Sequence, residues 1–300
     1  MRTGKRSLTP FLSLACCLTA TGLVHADIIF VGNANDTIAE YSASGTYLGV
    51  FASTADVPEG LALDSGGNLY VAYVNAKTIE KFSPTGTDLG VFAITGNTPL
   101  GLAFDSSGNL YAANGYDRTI TEYGPSGTNL GIFVGNGGLY GPEGLAFDKD
   151  GNLYVASAEN NRIYKVSATG TDLGVFATGM HTPIGLACDR SGNLYVANAE
   201  TDTIEKFSPT GTDLGVFAST GNGTGPWGLA FDSSGDLYAV TMSGGKIEEF
   251  SPTGTDLGVF ASTGLNTPGF IAIQQVPEPS TFILAGLGLL GALTLRRRRR

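Results

Sequence analysis

The 300-residue chain is poor in the side chains that most often carry chemistry: two histidines, three cysteines, three methionines and one tryptophan. His25, Cys16 and Cys17 all lie in an N-terminal segment that reads as a removable leader. The mature chain then keeps one imidazole, His181, and one thiol, Cys188. A multi-histidine metal site is excluded, and so is an internal disulfide. Ser-His-Asp chemistry would rest on His181 alone, with no nucleophile elbow in the sequence. Dinucleotide and Walker glycine spacings are missing as well. No catalytic residue, metal ligand or cofactor is therefore assigned.

Charge is also scarce, and it is one-sided. Charged residues make up 15% of the chain, against about 25% in ordinary globular proteins. Three basic residues precede the leader's apolar stretch and five arginines end the chain, leaving nine basic against 26 acidic side chains at 27–276. A body this acidic repels phosphate backbones, so nucleic acid is not an expected partner. No segment carries a 3.6-residue apolar period long enough for paired helices, which excludes a helical repeat.

What is abundant is glycine, 44 residues of it, and it recurs on a fixed period. GLALD at 60–64 returns as GLAFD at 101–105, 144–148 and 228–232 and as GLACD at 185–189, with a divergent GFIAI at 269–273. The block LGVF or LGIF keeps the same step at 48, 89, 130, 173, 214 and 257. Each unit reads as four short strands, exemplified by GLALD, NLYVA at 68–72, TIEKF at 78–82 and DLGVF at 88–92. Turns such as DSSGN and SPTGT supply Asx starts, proline and glycine at the right places. Four antiparallel strands every 40–45 residues or so specify a propeller blade.

The ends set the blade count. Residues 28–31 match the second strand of a unit, and 269–273 match the first strand alone. Pairing the two gives an all-β, six-bladed propeller whose N-terminal blade is completed by the C-terminal strand, leaving no open edge. The expected division is a signal peptide at 1–26, the propeller at 27–275 and a C-terminal tail at 276–300. Gly60, Gly101, Gly144, Gly185, Gly228 and Gly269 are read as the crowded starts of six innermost strands. Cys188 stands where Phe104, Phe147 and Phe231 stand in other copies and reads as a small buried hydrophobe. Asp148 to Asn152, DKDGN, reads as a turn and not as a calcium loop.

Proline-x-glycine followed by LAFD-x-x-G-NLYVA and N-x-x-I resembles the NHL-type repeat of six-bladed propellers over most of 27–273. That resemblance implies the fold; its relatives include sugar-lactone hydrolases, lyases and binding platforms, so it leaves function open. Copies within one chain can still be compared with each other. The turns joining strands one to two and three to four are nearly constant, whereas the two-to-three and blade-to-blade loops vary. Before the innermost glycines stand Glu59, Leu100, Glu143, Ile184, Trp227 and Pro268 in turn. Candidate ligand-binding residues on this variable rim are Glu59, Tyr116, Tyr140, Glu143, His181 and Trp227, with Asp117, Glu159, Asn160, Glu200 and Asp202 in neighbouring loops.

The tail holds Val276, Pro277, Glu278 and Pro279, then 14 uncharged residues at 282–295 and five arginines. As a helix, 282–295 would cover about 21 Å, short of a bilayer's apolar core. This three-part arrangement resembles the PEP-CTERM sorting tail. The resemblance implies cleavage by an exosortase, a transient inner-membrane anchor, and a Gram-negative, exopolysaccharide-making setting such as a biofilm matrix. Two functional expectations stand side by side. One is an exported surface or matrix scaffold that binds a protein or polysaccharide on the variable rim. The other is a secreted lactonase-like hydrolase or lyase using acidic channel-rim residues.

Overall fold

The structure, a computed structural model, describes residues 27–135 and 138–275. They form six four-stranded antiparallel sheets arranged as a closed ring. Blade 1 runs from Pro268–Gln274 at the axis through Ile28–Asn33 and Thr37–Ser42 to Tyr47–Ser53 at the perimeter. Blade 2 comprises Pro58–Leu63, Leu69–Tyr73, Thr78–Phe82 and Asp88–Ile94, and blade 3 comprises Pro99–Phe104, Leu110–Asn114, Thr119–Tyr123 and Asn129–Gly135. Blades 4, 5 and 6 repeat this order within 142–178, 183–219 and 226–261. The leader and the sorting tail, including Val276, Pro277, Glu278, Pro279 and the apolar run, lie outside the described residues.

Burial follows strand position. Second strands such as Leu69–Tyr73 are buried along their whole length, because neighbouring blades cover both faces. Fourth strands such as Asp88–Ile94 keep leucine and valine largely in solvent. Edge-to-face aromatic pairs stitch the blades together: the Tyr70 ring packs on Phe92 at 4.8 Å and on Phe104 of the next blade at 4.9 Å. Tyr111 and Tyr195 repeat the arrangement. Cys188 occupies the phenylalanine place beside blade 4, where burial pushes its thiol up to about 12. A thiol held protonated this firmly is an inert packing group.

The closing strand pairs as the sequence predicts, with Ile271 opposite Val31 and Ile273 opposite Ile29. Its register corrects one expectation. Pro268 faces Asn33 just as Pro58 faces Tyr73, and Ile271 takes the place of Leu61. Gly269 is thus the counterpart of Glu59, not of Gly60, and Phe270 stands where the other five blades have glycine. The spacing from proline to the apolar pair is unchanged, but glycine directly follows the proline and phenylalanine takes the usual glycine position, so a match made on glycine alone slips by one.

Contacts of the glycines agree with this register. A Cβ on Gly60, Gly101, Gly144 or Gly185 would lie 1.9–2.2 Å from the carbonyl oxygen of Leu100, Glu143, Ile184 or Trp227 in the next blade. Gly228 meets the Gly269 carbonyl in the same way, at 3.0 Å. A Cβ on Gly269 would find nothing nearer than 3.9 Å. First strands also begin two residues earlier than GLAFD suggests, at Pro58 or its equivalent, because pairing resumes beyond a bulge.

The constant turns form one face of the disc, and they are closed upon themselves. In blade 4, Asp148 Oδ1 accepts the N–H groups of Asp150 and Asn152 at 3.0 and 2.8 Å. Its Oδ2 accepts from the Asn152 amide and pairs with Lys165, which also sits over the Tyr154 ring. DKDGN is therefore a turn, as its sequence suggests. Both ends of the propeller dock on this face. Asp27 Oδ2 accepts from Ser233 N–H and Oγ–H, and the Gln275 amide donates to the Phe231 carbonyl.

Candidate functional site

The opposite face carries the variable loops, and its inner ring is built by one position per blade. Around the axis stand Gly269, Glu59, Leu100, Glu143, Ile184 and Trp227, each just after the proline that opens a first strand, and each carried inward by the same bulge. Three sequence candidates, Glu59, Glu143 and Trp227, are thus brought to one place. Phe270 packs in the apolar cluster that includes Ile184 and against which Trp227 packs.

That apolar setting controls the two carboxyl groups. Burial pushes Glu59 up to about 7, with Asp56 adding to the rise. Burial also pushes Glu143 up to about 8, helped by the negative charges of Glu59 and Glu159. Like charges facing each other across a low-dielectric opening favour the protonated forms. Oε2 of Glu143 and Nε1 of Trp227 are both buried and lack hydrogen-bond partners. Such groups favour a ligand that supplies the missing bond. Gly269 leaves a gap between Glu59 and Trp227, since a Cβ there would still lie 3.9 Å from Glu59 Oε2 and 4.0 Å from Trp227 Cδ1.

The other three candidates lie elsewhere on the rim. Tyr140 is half-exposed at the blade 3–4 shoulder, under the Arg118 guanidinium at 4.3 Å. Arg118 also pairs with Glu159 at 3.7 Å. Tyr116 is 80% exposed in its loop. His181 has an exposed side chain; its N–H donates to Asn198 Oδ1 and its carbonyl accepts from Glu200 N–H. Asp117 and Asp202 tie their loops to an adjoining blade-to-blade loop, accepting the N–H groups of Asn97 and of Gly223 and Gly225. Among the described residues no group of three His, Cys, Asp or Glu side chains is placed to hold a metal ion, and none of their helices is long and apolar enough to cross a membrane. Gly269 escaped the sequence reading as a site position; the available signal was a glycine directly after the proline, where the other copies carry one residue between them.

Comparison with known proteins adds three findings. Residues 275–300 match the PEP-CTERM protein-sorting motif. Residues 133–159, which hold Tyr140, Glu143 and Glu159, match the N-terminal part of strictosidine synthase-like proteins. A solved structure described as a nidogen/laminin complex is similar, with a TM-score of 0.73 and 19% identity over 82% of this chain and 98% of that one. No curated protein matches the chain. The similarity to the solved structure concerns the fold alone. Propeller and sorting motif together define an exported protein of six blades, sorted to the surface or beyond it as an exosortase substrate.

Proposed function

We propose that the chain is a binding scaffold of the cell surface or extracellular matrix that holds a protein or polysaccharide on its variable rim. One observation carries the reading. Acidic groups of the constant face are engaged by their own turns, whereas the inner rim keeps two buried, unpartnered polar atoms, Trp227 Nε1 beside the opening at Gly269 and Glu143 Oε2 across the ring. Leu100, Ile184 and Trp227 give the same mouth the apolar surface on which binding sites depend.

The proposed processing removes 1–26 as a signal peptide and releases 27–275 from the tail at 276–300 after transient inner-membrane anchoring. Gln275, the last described residue, is held on the constant face by its amide's bond to the Phe231 carbonyl. A tail leaving there turns the variable rim away from whatever holds it, in keeping with a rim that meets ligands. Intact mass of the secreted protein tests the processing, and retention of residues beyond Pro279 would refute it. For binding, the mature chain is screened against extracellular proteins and glycans. Wild type is expected to retain a ligand that Trp227→Ala and Glu143→Gln release; equal retention by all three would overturn the rim site.

A second reading, a secreted hydrolase or lyase, draws on carboxyl groups held near 7 and 8, the range suited to proton transfer at neutral pH. Turnover of lactones by the mature chain, abolished in the Glu59→Gln and Glu143→Gln variants, would replace the scaffold reading with this one.

A further inference from the structure

The seam between blades 2 and 3 opens into a cleft of about 750 Å³ that runs along the perimeter. Its cause lies in three departures from the repeat. The third residue of the third strand is Glu80, Glu205 or Glu248 in three blades, Tyr164 in another and Ala39 in blade 1, and it is the small Thr121 in blade 3. Ile94 replaces the serine, threonine or glycine found at its equivalents Ser53, Thr178, Ser219 and Gly135, and Ile132 replaces valine. A smaller residue inside and larger aliphatic residues outside leave a hollow with an apolar lip. Ile94 and Ile132 are 75% and 66% exposed on that lip.

The floor of the cleft holds Asn114, which is 0% exposed and whose Oδ1 has no hydrogen-bond partner. Sister blades show what is missing. Asn33 Oδ1 accepts the N–H of Asn266, Ser157 Oγ that of Tyr140, and Asn198 Oδ1 that of His181, each two residues before the proline of its blade. The equivalent N–H in blade 3 belongs to Asn97, and it donates instead to Asp117 Oδ2 at 2.7 Å. The Asn114 amide N–H groups remain engaged, by Thr121 Oγ1 at 2.9 Å and Thr119 Oγ1 at 3.3 Å. Gly96 lies over the freed oxygen, where a Cβ would come within 3.1 Å of it, so no side chain fills the space between.

The lining is therefore rich in acceptors and lacks any lysine, arginine or histidine. Asp117, held below its ordinary range by the two bonds from Asn97 and, less, by the charge of nearby Lys77, keeps a negative charge there and opposes anionic ligands. A sugar ring answers these features together: its hydroxyls donate to Asn114 and Asp117, and its C–H face covers Val91, Ile94 and Ile132. We propose that the blade 2–3 cleft binds a neutral saccharide, one unit of a longer glycan that lies along the seam. This rests on the scaffold reading and adds to it a second contact on the flank, independent of the inner rim and with its own named ligand class.

The test uses the mature chain on an array of neutral hexose, 6-deoxyhexose and N-acetylhexosamine oligomers, with polylysine as the cationic comparison. Thr121→Tyr places in blade 3 the residue that blade 4 carries naturally, so it fills the cleft while the fold is retained. Thr121→Ala, the residue of blade 1, keeps the cleft open. Retention of a neutral oligosaccharide that falls about tenfold or more in Thr121→Tyr, and persists in Thr121→Ala and Trp227→Ala, is the expected result. Retention unaffected by Thr121→Tyr but lost in Trp227→Ala would overturn the cleft and keep the inner rim. Binding of polylysine alone, or of nothing, would overturn the saccharide assignment. Circular dichroism melts of each variant separate lost binding from lost folding.

Discussion

The constant face and the variable rim of this disc are made from much the same polar residues and treat them differently. On the constant face, Asp64, Asp148 and Asp189 each cap their own turn and attract a third-strand lysine. Their carboxylates are satisfied, and hydrogen bonds hold Asp64 and Asp148 below the ordinary range against the opposing effect of burial. On the inner rim, Glu59 and Glu143 sit among Leu100, Ile184 and Trp227, and burial drives them the other way. Sequence alone would count all of these as surface acids. The difference shows that repetition marks groups spent on the scaffold, and that departures from the repeat mark groups left available.

That contrast can be broken or sharpened by experiment, beginning with the closure both faces depend on. Deleting 268–275 removes the inner strand of blade 1 and exposes the edge of Ile28–Asn33. The cooperative thermal transition should disappear, as followed by circular dichroism; an unchanged melting temperature would show that the ring does not need this strand. Gly144→Ala comes next, since its Cβ would lie 2.1 Å from the Ile184 carbonyl, and such overpacking costs about 3 kcal/mol. Gly269→Ala at the neighbouring ring position should cost less than about 0.5 kcal/mol, because its Cβ meets open space. Urea midpoints of the two variants compare these directly, and equal losses would contradict the register assigned to the closing strand.

Asp148→Ala on the constant face should cost about 1–3 kcal/mol, since it strands two N–H groups and the Asn152 amide. Tyr116→Ala on the rim, 80% exposed, should change stability by less than about 0.5 kcal/mol. The pH dependence separates the faces more finely. Glu59 and Glu143 have folded values raised from 4.5 to about 7 and about 8, so the folded chain holds their protons more tightly than the unfolded one. Their contribution to stability is full below pH 4.5 and is lost as pH rises through 7 to 8. The lowered Asp64 and Asp148 act oppositely, contributing above pH 3.8 and losing that contribution as acid protonates them in the folded state. The double variant Glu59→Gln/Glu143→Gln should flatten only the alkaline limb in melts taken from about pH 2 to 9. A flattened acid limb would reassign the effect to the turns.

Much of this was legible in the residues. The period of the glycines, the continuous apolar run in NLYVA and the half-units at the two ends state six blades and their closure, because local pattern and turn chemistry all favour one answer. The candidate site was legible in part. Glu59, Glu143 and Trp227 were singled out as differing from copy to copy, and they do share the inner ring. Tyr116 and His181 were singled out for the same reason but lie on other parts of the rim, since loop identity carries no information about radial position. The cleft at Asn114 was not legible. It depends on which N–H a loop of blade 3 donates, and to which acceptor, and several sequences satisfy that choice equally well.

By itself the sequence determined the number of blades, the strand that closes them, the acidic body and the sorting tail, all of which follow from short-range pattern and composition. Only the tertiary structure decided that Gly269 and not Pro268 completes the inner ring, that Glu59 and Glu143 share one apolar mouth, and that Asn114 is left with a free oxygen. Those outcomes hang on register and on contacts between blades about 40 residues apart in the chain, where a one-residue slip changes which groups meet.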